Sequence, residues 1–202
     1  MFWKETLLAA AFATAVVAPS AQASWLINAN AGVGIPTGDF SDFWASGFLV
    51  GAAASYLVRP QFAIGVDGSY LKNDTSDDYQ ALLDFLDPGA EDQFTYQQYG
   101  VHGKWMIPTG SGSRVSPYLV VGAGLYSVKD KYESPTFSDE LSQTAFGLRG
   151  GAGIDYWVST TFGVGVDANY HNPFASEEEI GYDSAPFFAV SGGIRWKITS
   201  AP

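Results

Sequence analysis

From Trp25 to Ile198 the chain consists of eight stretches in which apolar residues alternate with small or polar ones, and no helix-length apolar run follows Ser24. A period of two marks a strand whose two faces meet different surroundings. The stretches run Trp25–Gly34, Gly47–Val58, Phe62–Lys72, Phe94–Ile107, Ser116–Val128, Gln143–Val158, Thr161–His171 and Phe187–Ile198. Three connections are short: Arg59-Pro60-Gln61, the "PTGSGSR" segment from Pro108 to Arg114, and Ser159-Thr160. The other four are longer and acidic. Long and short connections in turn predict a meander of antiparallel hairpins.

Sorting each stretch by alternation gives one face without a charge, carried by residues such as Ile27, Phe48, Val50, Val101, Leu119, Val121, Phe146, Ile154, Phe188 and Ile194. The opposite face carries Asn28, Asn30, Ser55, Gln98, Asn169, Ser191 and most of the strand charges, diluted with glycine. A soluble sandwich would also hide one greasy face. Three features favour lipid instead: the charge-free apolar face of every strand, the gathering of the long connections on one side, and aromatics near strand ends (Trp25, Tyr56, Tyr70, Trp105, Tyr156, Tyr170 and Trp196), where interfacial girdles lie. In a bilayer an open sheet leaves edge N–H and C=O groups unpaired at several kcal/mol each, so the strands must close on themselves. The expected fold is all-β, an eight-stranded antiparallel up-and-down transmembrane β-barrel over residues 24–202, with four long outer loops.

The first 23 residues read as a cleaved signal peptide: Lys4, an apolar run from Leu7 to Ala18, and the small residues of Ala21-Gln22-Ala23 before Ser24. The run is short of the roughly 20 residues a spanning helix needs. The chain has no Cys, so neither a lipid anchor on cysteine nor a disulfide is expected.

"FAIGVDGSY" at Phe62–Tyr70 returns as "FGVGVDANY" at Phe162–Tyr170, with Phe, Gly, Val, Asp and Tyr in register. Closure turns Asp67 and Asp167 into the lumen, and one shared environment explains the likeness as well as a duplication does. The expected interior network is Asp67, His102, Lys104, Arg149, Asp155, Asp167, Arg195 and Lys197, three acids against four bases beside the histidine. Counting residues from the short turns pairs Asp67 with Lys104, and Asp167 with Arg149 or Arg195, with Asp155 reaching the lower bases. Eight strands enclose a space that side chains can fill. The inward glycines leave room, so a narrow or gated pore stands as the alternative.

The alternating strands, the leader, the two loop classes and glycine-rich segments such as "SPYLVVGAGLYSV" and "GLRGGAGIDYWV" resemble the small outer-membrane barrels of the OmpA transmembrane-domain, Ail and OmpX type. The likeness runs from Ser24 to about Ile198. It implies a cell outer membrane location in a Gram-negative envelope, contact with outer-membrane lipids and lipopolysaccharide, and assembly by the barrel assembly machinery. Members commonly end on an aromatic, whereas here Lys-Ile-Thr-Ser-Ala-Pro follows Trp196. The stretch after the last strand is too short for the peptidoglycan-binding domain of longer members, so no cell-wall tether is expected.

Charge gathers in the loops. Of the 20 acids that follow Ser24, 17 lie in the long connections, and the formal net charge of −11 disfavours a nucleic-acid partner. Solvation explains most of them; diffuse binding of divalent cations is the sharper reading, although no Ca²⁺-loop spacing is present. Within "SDDYQALLDFLDPG" a short helix is expected, capped by Ser76, with Asp77 and Asp78 at its positive end, Tyr79, Leu82, Leu83 and Leu86 at helical spacing, and Pro88-Gly89 as the stop. Its greasy face must pack on the rim or serve a surface protein partner through loop 73–93. The lipid A deacylases among eight-stranded barrels use a His, a Ser and an acid. His171-Asn172, Ser176 and Glu177 are similar in type, but Pro173 stands two residues after His171 and alternation turns His171 inward. The expectation is therefore no enzyme, no cofactor, no dedicated metal site, and a structural or surface-interaction role in adhesion or envelope integrity.

Overall fold

The computed structural model describes residues 24–174 and 185–199. The expected signal peptide, Ser176 and the Glu177-Glu178-Glu179 run lie outside the described residues. The strands are β1 (Ser24–Pro36), β2 (Gly47–Arg59), β3 (Phe62–Asp74), β4 (Glu91–Met106), β5 (Val115–Glu133), β6 (Ser138–Trp157), β7 (Phe162–Pro173) and β8 (Phe187–Thr199). Each pairs antiparallel with the next, and β1 pairs with β8 from Ser24↔Thr199 to Pro36↔Phe187, which closes the barrel. Closure leaves no unpaired sheet edge along the membrane-crossing wall, as a hydrocarbon surrounding demands.

The outer wall is apolar where it is most exposed: Val121 is 68% accessible, Val166 61% and Phe48 60%. Aromatics bound this band. Trp25 packs edge-on against Tyr56 and Phe162 against Trp196 towards the short turns, while Tyr70, Tyr99, Tyr170 and Phe188 stand towards the loops. Trp105 lies beside Phe62 in the turn-side ring, and Tyr156 pairs with Val115 there. From Val115 to Leu125 on β5 the rise is about 25 Å at a tilt of about 40°, the height of a membrane-crossing apolar band.

The long connection after β5 is shorter than its acidity suggests. The ladder between β5 and β6 runs on to Glu133↔Ser138, so only a four-residue tip separates two strands that project well beyond the wall as a β-arm. Polar residues such as Lys129, Lys131 and Tyr132 conceal a strand that continues above the membrane band, half-buried between β4 and β6. One α-helix, α1 (Asp77–Leu86), forms in the second loop, with the Ser76 hydroxyl accepting from Tyr79 N at 3.4 Å. The first loop makes a 3-10 turn (Gly38–Asp42) that is stitched to the second by Ser76 N→Phe43 O, Ala45 N→Asp74 O and a bridge between Trp44 and Thr75.

Candidate functional site: a sealed lumen and its cap

Alternation on a closed sheet sends every second side chain into a narrow tube, where a charge persists only if it is paired and hydrogen-bonded. Two clusters form there. In the lower one Lys104 Nζ donates to Asp155 Oδ2 at 2.7 Å, and Arg195 Nε to Asp155 Oδ1 at 2.9 Å. Arg195 Nη2 then donates to Asp167 Oδ2 at 2.9 Å, and Asn169 and Ser191 cover the other oxygen of Asp167 at 2.8 and 2.9 Å. Lys104 also lies 3.6 Å above the centre of the Tyr118 ring. In the upper cluster Asp67 accepts from Arg149 Nη2 at 2.7 Å, from His102 Nδ1 at 2.7 Å and from Gln98 Nε2 at 2.9 Å.

Two glycines make this wiring possible. A Cβ at Gly122 would stand 3.0 Å from Arg149 Nε, so the bare backbone of β5 lets the guanidinium pass across it to Asp67. At Gly165 a Cβ would be 2.4 Å from Asp155 Oδ1, within the space that the carboxylate needs. Gly65 and Gly165 occupy the same place in the two repeated segments, each two residues before the inward aspartate. The repeat therefore reads as small residue then carboxylate, both facing the lumen.

Two expectations are corrected, and one pair of alternatives is decided. Lys104 bonds Asp155 and not Asp67, because Asp67 opposes Gly100 in the β3–β4 register while Lys104 opposes Ala63, about 13 Å further towards the turns. Asp167 takes Arg195 and not Arg149: Arg149 pairs with His171, four residues up β7 from Asp167, and crosses the lumen instead. Lys197 lies outside the network, half-buried beside Leu26, Arg114 and Trp157 in a vestibule of about 550 Å³ at the turn end. Three carboxylates then face Lys104, Arg149 and Arg195, a neutral layer.

Ser55, which alternation places on the inner face without a role, completes a chain of hydroxyl, imidazole and carboxylate. Its Oγ is 2.9 Å from His102 Nε2, and His102 Nδ1 is 2.7 Å from Asp67. A carboxylate only accepts, so Nδ1 carries the proton and, in the neutral ring, Nε2 accepts from the Ser55 hydroxyl. This is the arrangement that activates a serine nucleophile. Here Ser55 is 4% accessible, a Cβ at Gly65 would lie 2.7 Å from its Oγ, and Asp67 is already held by Arg149 and Gln98. A substrate carbonyl has no place to stand, and the chain serves as interior wiring. His171 is likewise occupied: it is 3% accessible, bonded to Tyr126 OH at 2.9 Å and stacked on Phe187 with ring centres 4.5 Å apart.

Above the charged layer a cavity of about 50 Å³ remains, lined by Asn30, Ser69, Gln98, Asn169 and neighbours. Over it sits an apolar plug. Phe40 and Trp44 of the first loop descend between Phe94, Tyr96 and Phe187, with ring centres 4.8 Å (Phe40–Phe94), 4.9 Å (Trp44–Phe94) and 5.0 Å (Tyr96–Phe187) apart, and Leu49, Leu71, Tyr126 and Val128 fill the remainder. Sequence reasoning leaves Phe40 and Trp44 in a loop; their aromaticity amid the acidic, glycine-containing "TGDFSDFW" is the available signal.

One row higher, outside the membrane band, Asp92 and Asp130 on neighbouring strands share a hydrogen bond near Tyr79 of α1. Burial, and then Asp92 itself, push the Asp130 carboxyl up to about 8, and burial raises Asp92 as well. An acid titrating near 3.8 when the cap opens and near 8 when it is closed binds a proton on closing. Cap stability is therefore full below about pH 4 and declines as pH rises through about 8. Proteolysis within loop 73–93, normalised to a peptide substrate, is expected to quicken between about pH 6 and pH 9. Asp130→Asn should flatten that dependence; an unchanged profile in Asp130→Asn would assign it to another group.

An apolar belt between aromatic girdles, a closed ladder and a charge-neutral interior define a membrane-spanning antiparallel β-barrel. The outer membrane protein beta-barrel domain matches residues 6–195, and the chain belongs to that family of outer-membrane proteins. Solved structures similar to it include the following two. Neisserial surface protein A is 19% identical, with 86% of this chain and 97% of that one covered at a TM-score of 0.57. A major outer membrane protein of Thermus thermophilus is 12% identical, with 87% and 99% covered at 0.65. At such identity the likeness concerns the fold. No curated protein matches the chain.

Proposed function

We propose that this protein is a non-enzymatic outer-membrane scaffold that presents its loop end to the outside as a surface-interaction module, with an adhesive or envelope role. The observation that carries the reading is the double seal of the lumen, a neutral ion-paired layer below and the Phe40–Trp44 plug above, beneath a cap whose own apolar residues stay exposed. A tube closed twice is a poor conduit, which disfavours the solute pore. Occupation of Ser55, His102 and His171 within the interior disfavours hydrolysis. Lipopolysaccharide and outer-membrane lipid surround the wall in this reading, and the barrel assembly machinery inserts it.

Epitope tags inserted at Asp84 or Glu178 are expected to be labelled on intact cells, and a tag at Ser111, in the short-turn set, only after permeabilisation. Labelling of Ser111 alone would invert the orientation. A deletion strain should then lose binding to surfaces or partners while its uptake of small solutes is unchanged. Loss of uptake with binding intact would favour the pore.

A further inference from the structure

The cap carries more apolar surface than its own packing uses. Tyr79 and Leu83 turn inward, Leu83 being buried and the Tyr79 ring lying 5.5 Å from Phe43 and 6.4 Å from Trp44. The neighbouring stripe, at i, i+3 and i+4, holds Leu82, Phe85 and Leu86, which are 51%, 83% and 69% accessible. These side chains are not needed to hold α1 in place. The helix end is fixed to the β-arm through Tyr132 OH, which donates to Asp87 Oδ2 at 2.8 Å, and Gly89 lies against Pro135 at the arm tip. The platform is anchored on both sides, with little order left to impose on binding.

Three kinds of occupant could cover such a stripe, and charge separates them. Between Asn73 and Gln93 there are seven Asp and Glu and no Lys or Arg. Asp78 lies on the stripe itself, one turn before Leu82, and Asp87 stands beyond its end. Lipid is disfavoured by height, since β4 climbs about 20 Å from the Tyr99 girdle before it reaches the cap. The anionic head groups of an outer leaflet would repel the helix as well. A second copy would set one acidic helix against another. What fits is an apolar ridge flanked by positive charge.

Building on the outward orientation argued above, we infer that the Leu82–Phe85–Leu86 stripe of α1 is a docking surface for a cationic amphipathic helix supplied by a partner peptide or protein. The apolar residues of that helix cover the stripe while its Lys or Arg residues meet Asp78 and the net negative charge of the surrounding loop.

The test uses the whole barrel in nanodiscs of zwitterionic lipid, with empty discs subtracted. The probes are two fluorescent synthetic helices, one of Lys and Leu and one of Glu and Leu, and anisotropy reports binding. The Lys/Leu helix is expected to bind above the empty-disc level and the Glu/Leu helix not to. The triple change Leu82→Ser, Phe85→Ser, Leu86→Ser should weaken binding by about tenfold or more. Asp78→Asn should weaken it and reduce its dependence on salt. Heat-modifiable migration on gels checks that each variant is folded. Absence of Lys/Leu binding, equal binding of both probes, or full binding by the triple variant overturns the inference. The scaffold reading fails separately, through a deletion strain that keeps its surface binding; a deletion strain that loses it while the triple variant retains it removes only the helix surface.

Discussion

Asp155→Ala is expected to lower the urea midpoint of the folded barrel by an amount corresponding to about 3–5 kcal/mol, the cost of leaving a buried charge without its partner. This carboxylate is the sole ion-pair partner of Lys104 among the described residues and one of two for Arg195. The side chains of the three groups are only 10%, 3% and 4% accessible for Lys104, Arg195 and Asp155, so water cannot take over the lost contacts. Asp67→Ala should cost less, because Arg149 and His102 lie higher, beside the small cavity or bonded to Ser55. Adding Lys104→Met to Asp155→Ala should recover part of the loss, since it removes the orphaned cation and returns an apolar chain of similar length. Additive losses in the double variant would mean that the two side chains titrate independently in water.

Trp44→Ala is expected to cost the cap about 3–5 kcal/mol, the range for truncating a large buried aromatic. The indole is 2% accessible and touches Phe40, Phe94 and Tyr79, three separate pieces of the chain. Amide exchange in loop 73–93 should accelerate strongly, while the folded form seen by heat-modifiable migration remains, because the wall ladder does not depend on the plug. Trp44→Phe offers the control. The indole Nε1 is buried with no hydrogen-bond partner among the described residues, so replacing it with phenyl removes an unsatisfied donor along with some packing area. The expected loss is under about 1.5 kcal/mol. Equal acceleration in both variants would show that the aromatic area phenylalanine retains is not what holds the cap.

The wall is legible in the sequence because its physics is local. Lipid outside and lumen inside impose a period of two on each strand separately, and Val121 or Arg195 can be assigned to a face without knowledge of any other strand. Ion-pair partners are set by register between strands, which depends on closure of the whole sheet. Alternation thus places Lys104 on the correct face, yet counting from the turns gives it to Asp67, while Arg149 reaches that aspartate across a bare glycine on β5, one of the two strands between them. The plug is unreadable for a related reason: Phe40 and Trp44 follow no period, and only the stitching of one loop to another by Ser76, Ala45 and Thr75 carries them into the barrel mouth. The β-arm escapes a sequence reading because a strand with polar residues on both faces alternates in nothing that hydropathy records.

Single-channel recording of the purified, refolded protein in a planar bilayer tests the sealed lumen most directly. The account predicts no steady conductance for the natural sequence, and none for Phe40→Ala or Trp44→Ala, because the layer of Asp67, Arg149, Lys104, Asp155, Asp167 and Arg195 closes the tube below the plug. A steady, reproducible conductance from the unmodified protein would contradict it and make the barrel a pore.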